Sequence, residues 1–192
     1  IQSKTYQLDA VLISHEHYDH VGGLDDLRPF TRDKSVDIYA EENVAEAIRT
    51  RIPYVFREHK YPGVPKLELH TIDNTPFVAA GLPVVPIRVM HGRLPILGYR
   101  IGNMAYLTDL KSLPEEEFAK LQGLDVLILT ALRKGEHPAH ESLEEALAMI
   151  GRLRPKEAYL IHMSHRIGLH AEVEKELPPH VHFAYDGLML FS

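Results

Sequence analysis

At 192 residues and 45% hydrophobic content, the chain is long enough to bury one sizeable core and short enough to form one domain. A formal net charge of -6, from 27 acidic against 21 basic side chains, leaves no overall basic field of the kind that dominates nucleic-acid binding, so a polyanionic partner is disfavoured. The absence of Cys excludes disulfides and thiolate metal sites, and any transition-metal site has to be built from imidazole and carboxylate.

In chain order, Leu8 to Ser14 reads as a buried strand. Gly22-Gly23 and Leu24-Asp25-Asp26-Leu27 read as a loop entering a short helix limited by Pro29. Val36 to Ala40 is a second strand, and Glu42 to Arg51 has amphipathic helical spacing through Val44, Ala47 and Ile48, ended by Pro53. From Tyr54 to Pro83 the composition is that of a loop-rich stretch able to border a substrate site, with Lys66 to Ile72 as its best strand. Val84 to Met90 is a strand ending at His91-Gly92, and Gly98 to Leu107 a hairpin turning at Gly102-Asn103. Pro114 to Leu121 is a short helix and Asp125 to Ala131 a buried strand. Ser142-Leu143-Glu144-Glu145 is a capping box opening a helix through Leu153, which Pro155 stops. Ala158 to Ile161 is a strand running into His162, Leu169 to Leu177 a helix, and Val181 to Phe191 a final strand pair around Asp186-Gly187. This alternation, without repeat or linker, predicts one α/β domain over residues 1–192. No apolar run approaches the ~18 residues of a membrane span, and nothing near Ile1 resembles a signal peptide, so a soluble cytoplasmic protein is expected.

The chemistry concentrates in His15-Glu16-His17-Tyr18-Asp19-His20, four potential metal ligands within six residues at a strand exit. His15 and His17 share a face in extended chain, while Asp19 and His20 turn elsewhere. One metal cannot easily use all four, so the spacing suggests two adjacent metals that draw further ligands from other parts of the chain. His91, Asp109 and His162 each follow an apolar or β-like run and are the candidates. Two metals roughly 3.5 to 4 Å apart need a shared group, and Asp109, alone on its strand end, suits that role. Taken singly, His91 and His162 would be ordinary surface or core histidines, and Asp109 a turn residue; the hexapeptide tips the balance. Zinc and manganese are the plausible metals, with iron still open.

His15-Glu16-His17-Tyr18-Asp19-His20, followed downstream by His91, Asp109 and His162, resembles the signature of the metallo-β-lactamase superfamily, from about Leu8 to the end. The resemblance implies an αββα sandwich, with His15, His17 and His91 on a first divalent metal, Asp19, His20 and His162 on a second, and Asp109 bridging both. Relatives carry about two to three strands before the hexapeptide, where this chain has only Ile1 to Gln7, so the fold is expected to lack its first N-terminal strands. Gly23-Leu24-Asp25-Asp26-Leu27-Arg28-Pro29-Phe30, His137-Pro138-Ala139-His140 and His162-Met163-Ser164-His165 resemble the cyclic-phosphodiesterase branch of the phosphonate-degradation pathway.

That likeness implies hydrolysis of a small cyclic phosphate, a cyclic ribose phosphate or nucleotide, by a metal-bridging hydroxide. It makes His140 the candidate general acid for the leaving alkoxide, against the plain alternative that it hydrogen-bonds near a helix start. His165 is expected to bind phosphate or support a ligand, and Arg28 to contact an anionic substrate unless it pairs locally. Glu16, Asp25 and Asp186 are candidate acceptors for the outer N–H of metal-bound histidines, or else surface charges. The expected partner is a small phosphorylated molecule, with no membrane and no nucleic acid, and a homodimer is compatible with the chain. A lactonase, thioesterase or RNA-processing nuclease would share every ligand. A di-iron redox protein would have Glu at position 17, and a non-catalytic metal-binding member would keep the fold alone.

Overall fold

The computed structural model describes residues 5–190, which form two compact units divided after Pro83. In the first, β1 (Ala10–Leu12), α1 (Tyr18–Val21), β2 (Val36–Ala40), α2 (Glu42–Arg51), β3 (Leu67–Thr71) and β4 (Phe77–Ala79) follow in order. β1, β2 and β3 are all parallel, with Val11 opposite Ile38 and Ile38 opposite Leu69. Parallel neighbours need crossovers, supplied by α1 and α2 with their flanking loops. β2 alternates buried and half-buried residues, and Val36, Ile38 and Ala40 meet Val44, Ala45 and Ile48 of α2 in one apolar cluster.

The second unit contains β5 (Leu82–His91, most of which lies in it), β6 (Leu94–Ile101), β7 (Met104–Leu107), β8 (Val126–Thr130), α3 (Leu143–Leu153), β9 (Glu157–Ile161), α4 (His170–Val173) and β10 (Val181–Phe183). The order β10-β9-β8-β7-β6-β5 combines an antiparallel meander, β5 to β7, with parallel pairings from β7 to β10. Gly98 allows the meander to close: a Cβ there would lie 2.5 Å from Leu107 Cδ2 and 2.9 Å from the Tyr106 carbonyl oxygen. Ile87, Val89, Leu107, Leu127, Leu129 and Leu160 are completely buried at the centre of this core. The capping box of α3 is present in both halves, with Glu145 N–H donating to Ser142 Oγ at 3.2 Å and Ser142 N–H to Glu145 Oε2 at 2.7 Å.

Several expectations need correction. The stretches 22–31 and 115–121 are 3₁₀ helices, the first running through Pro29 instead of stopping there. β1 is shorter than the expected 8–14 strand, and the 169–177 helix divides into α4 and a 3₁₀ turn, Glu174–Glu176. Among the described residues the terminal strand pair does not form. Beyond β10 the chain makes a turn, with Leu188 N–H donating to Tyr185 O at 3.0 Å, and Tyr185 and Met189 stay exposed. Apolar residues with no neighbouring strand to pair with lose both the ladder and the burial that make a strand; Phe191 lies outside the described residues. Among the described residues no helix is long and apolar enough to cross a membrane.

Glu141, just before α3, is locked between the parallel strands' loops: its N–H donates to Leu110 O at 2.7 Å and its carbonyl accepts from Leu132 N–H at 3.0 Å. The side chain is 3% exposed. Burial, reinforced by the Glu145 charge and opposed by Lys111, pushes its carboxyl up to about 8 from the ordinary 4.5. Between those two values the folded state holds a proton that the unfolded state releases, so stability falls as pH rises from about 4.5 to about 8. Glu141→Gln is expected to raise the melting temperature at pH 8.5 by several degrees and to change it little at pH 4, as read by thermal denaturation.

Candidate functional site

In the first unit the hexapeptide begins where β1 ends. Ile13 N–H still donates to Tyr39 O at 2.9 Å, after which His20 and Val21 N–H close a turn on the His17 carbonyl at 3.0 and 3.2 Å. The turn gathers three imidazoles: the His15 ring lies 4.5 Å from that of His17 and 4.3 Å from that of His20, centre to centre. His15 is 1% exposed, with Ser14 Oγ 3.0 Å from its Nδ1 and His17 Nδ1 2.9 Å from its Nε2. Asp19 Oδ2 reaches His20 Nε2 at 3.4 Å. All four expected ligands of this segment therefore belong to one turn, with His17 and Asp19 on its exposed side.

In the second unit, His91 ends β5, Asp109 lies two residues beyond β7, and His162 follows β9. Asp109 and His162 both adopt left-handed backbone, with φ of 53° and 59°, a conformation that costs a non-glycine residue roughly 1 to 2 kcal/mol. At Asp109 it is held by the backbone N–H donating to Thr130 Oγ1 at 2.7 Å and by Thr108 Oγ1 donating to the Asp109 carboxylate at 3.0 Å. The carboxylate, 2% exposed, divides between two rings: Oδ1 is 3.2 Å from His162 Nε2, and Oδ2 is 3.8 Å from His91 Nε2. His91 Nδ1 faces the Ala139 carbonyl at 2.8 Å, so Nδ1 carries the proton donated there, and Nε2 is turned to the Asp109 side. His140 stacks over His162 with centroids 5.2 Å apart and lies 4.5 Å from His91. Burial lowers its pKa to about 4, with the Asp109 charge pulling the other way. Asp109, His140 and His162 each present a ligand atom, all within 4.8 Å of one another.

The other expected site residues have surroundings of their own. His165 is exposed at the start of the 3₁₀ turn His165–Ile167. Arg28 is engaged locally, pairing with the Asp25 carboxylate and donating from Nε to the Asp25 carbonyl at 3.2 Å. The Glu16 carbonyl accepts from Arg51, and Asp186 is exposed. A further trio, Asp37, Glu68 and His70, faces itself across β2 and β3, with His70 Nε2 2.9 Å from Asp37 Oδ1; these are neighbours on an exposed ladder.

The donor chemistry within each unit fits divalent cations. Imidazole nitrogens predominate, no thiolate is available, and one carboxylate directs its two oxygens at different rings.

His137 is a residue whose role the sequence did not disclose. Its Nδ1 accepts the N–H groups of Ala139 and His140, both at 3.2 Å, and burial, aided by Arg133 and Lys111, lowers its pKa and keeps that lone pair free of a proton. It thereby fixes the Ala139 carbonyl that orients His91. The nearest sequence signal is the acceptor placed two and three residues before its donors, as in turns built by Asn and Asp. His137→Ala should abolish the sharp downfield Nδ1–H resonance of His91 in ring-selective NMR, and His137→Asn, which keeps an acceptor, should retain it. The alanine variant should also lose about 1 kcal/mol of stability.

Residues 2–163 match the family described as the β-lactamase superfamily domain. Over 183 residues, 94% of this chain, the sequence is 51% identical to an octanoyltransferase of Porphyromonas gingivalis, and the chain spans 37% of that protein's length. A diphosphatase of the PhnP family, solved by crystallography, is 34% identical and superposes with a TM-score of 0.89, covering 97% of this chain and 72% of that one. YhfI of Bacillus subtilis, a metallo-β-lactamase fold protein, is 20% identical with a TM-score of 0.74, covering 94% of this chain and 76% of its own; it speaks for the fold alone. The fold expected from the hexapeptide is thus shown, and it is one whose solved members include metal-dependent hydrolases. From its spaced histidines to its strand order, the chain belongs to the metallo-β-lactamase superfamily.

Proposed function

We propose that the protein is a metal-dependent phosphodiesterase that opens a small cyclic phosphate. The observation that carries this reading is the Asp109 carboxylate, with its two oxygens turned to His91 and His162 and with His140 stacked beside them. Following the superfamily signature, His15, His17 and His91 would hold one divalent ion and Asp19, His20 and His162 a second, with Asp109 serving both; zinc or manganese suits these donors. When bound, such ions supply a water acidic enough to attack at neutral pH and neutralise charge on phosphoryl oxygens.

The chain's own residues supply the rest. Asp109 orients the imidazoles of both strand ends, and His137, through the Ala139 carbonyl, holds the His91 tautomer that leaves Nε2 as a ligand. His140 delivers the proton to the leaving alkoxide oxygen; burial holds its pKa at about 4, and the negative charge of a bound phosphate would join that of Asp109 in drawing it back up. The similarity to a diphosphatase supports phosphoryl over acyl substrates. The acyl transfer named for the Porphyromonas relative belongs to a protein of which this chain spans 37%.

Asp109→Ala is expected to lose at least one equivalent of metal, by elemental analysis, and nearly all hydrolysis of bis(p-nitrophenyl) phosphate. His140→Ala is expected to keep both metals while turnover falls by about 10² to 10⁴-fold. Metal loss in the second variant would make His140 a ligand, the role also offered by its place beside Asp109 and His162.

A further inference from the structure

The first unit contains a cleft of about 580 Å³ that the metal chemistry does not use, a size within the range of small-molecule sites. Leu24 and Ile48 give its lining an apolar part, and two tyrosines, Tyr18 and Tyr54, line it with Arg51 and Asp25. Tyr18 stands in the hexapeptide itself, one residue from both His17 and Asp19, and opens the turn closed on the His17 carbonyl. The cleft therefore adjoins the ligand turn through a side chain that shares its backbone.

The Tyr18 ring is 75% exposed, so core packing does not account for it. It is nonetheless seated: a Cβ on Gly22 would lie 2.9 Å from Tyr18 Cε1 and 3.0 Å from Cζ. Gly22 has φ -60° and ψ -27°, ordinary helical backbone open to any residue. What the missing side chain provides is room for the ring. Within the same lining, the Tyr54 hydroxyl hydrogen-bonds the Asp25 carboxylate, which Arg28 also pairs. Arg51 is tethered by donation to the Glu16 carbonyl, and its guanidinium has further N–H groups for an acceptor.

The charges decide the occupant. Arg51 is offset by Asp25 and Asp26 along the same lining, so the cleft has no positive excess to hold a phosphate. A lining that combines two aromatic rings, apolar side chains and mixed polar groups suits an uncharged planar ring bearing hydrogen-bonding atoms.

We infer that this cleft binds the nucleobase of a nucleoside phosphodiester substrate, stacked on a Tyr18 ring seated by Gly22. The inference rests on the phosphodiesterase reading for the position of the phosphate, and it narrows the substrate from a bare cyclic ribose phosphate to a cyclic nucleotide.

Two substrates with the same scissile ester separate the cases: adenosine 2′,3′-cyclic phosphate and methyl riboside 2,3-cyclic phosphate. The metal-loaded wild-type protein should favour the nucleotide by about tenfold or more in kcat/KM, the scale of one base stacked on one aromatic ring. Tyr18→Leu and Gly22→Ala should shrink that ratio toward one, through KM, while Tyr18→Phe preserves it. Adenosine binding, followed by NMR shifts of the tyrosine rings in the full chain, gives a readout free of catalysis; it should weaken by a similar factor in the Leu and Ala variants. Absent adenosine binding in wild type, or binding unaltered by both variants, would overturn the cleft assignment. Adenosine bound as expected with neither ester hydrolysed would overturn the phosphodiesterase reading and leave the ring site standing.

Discussion

One carboxylate, that of Asp109, organises the second unit's polar centre. It is almost wholly buried, and its two oxygens are 3.2 and 3.8 Å from different imidazoles. An ionised carboxylate in an apolar core is costly unless cations or strong donors face it. Here Thr108 supplies one donor, and the histidines lie where either protons or divalent ions would balance the charge. The surrounding fold can be read as the means of holding that group still: Thr130 at the end of β8 fixes its backbone, and the β5–β6 hairpin presents His91 to it.

The ligand pattern was legible because it is chemically improbable by accident. Three histidines and an aspartate in six positions need no structure to be noticed, and the strand-end placement of His91, Asp109 and His162 followed from apolar runs that the sheet confirms. The bounds of β2 and α2 were equally plain, since alternating burial in one and helical spacing in the other agree with local propensity. The cap at Ser142 is a four-residue motif whose geometry is local.

What escaped the sequence depends on geometry that residue types do not encode. A 3₁₀ turn and an α-helix share similar apolar spacing over one or two turns, so 22–31 and 115–121 could not be told apart from short α-helices. The residues after β10 have strand-like composition, but a strand needs a neighbour, and none of the described residues lies alongside to pair with them. His137 was unreadable for another reason: its work is done by a neutral ring nitrogen accepting two backbone N–H groups, and that depends on tautomer and loop path. Nothing in the residue types marks Tyr18, and its contact with Gly22 is what gives the ring a fixed seat.

The left-handed backbone at Asp109 narrows what could ever stand at that position. Asn would accept the same turn without strain, because short polar side chains tolerate it, yet it brings a neutral amide in place of two equivalent anionic oxygens. Glu would keep the charge while adding a methylene to a fully enclosed space and losing the favoured turn geometry. Backbone and chemistry thus impose separate filters whose overlap is a single amino acid, so drift at this site is closed off even where the neighbouring loops are free to diversify.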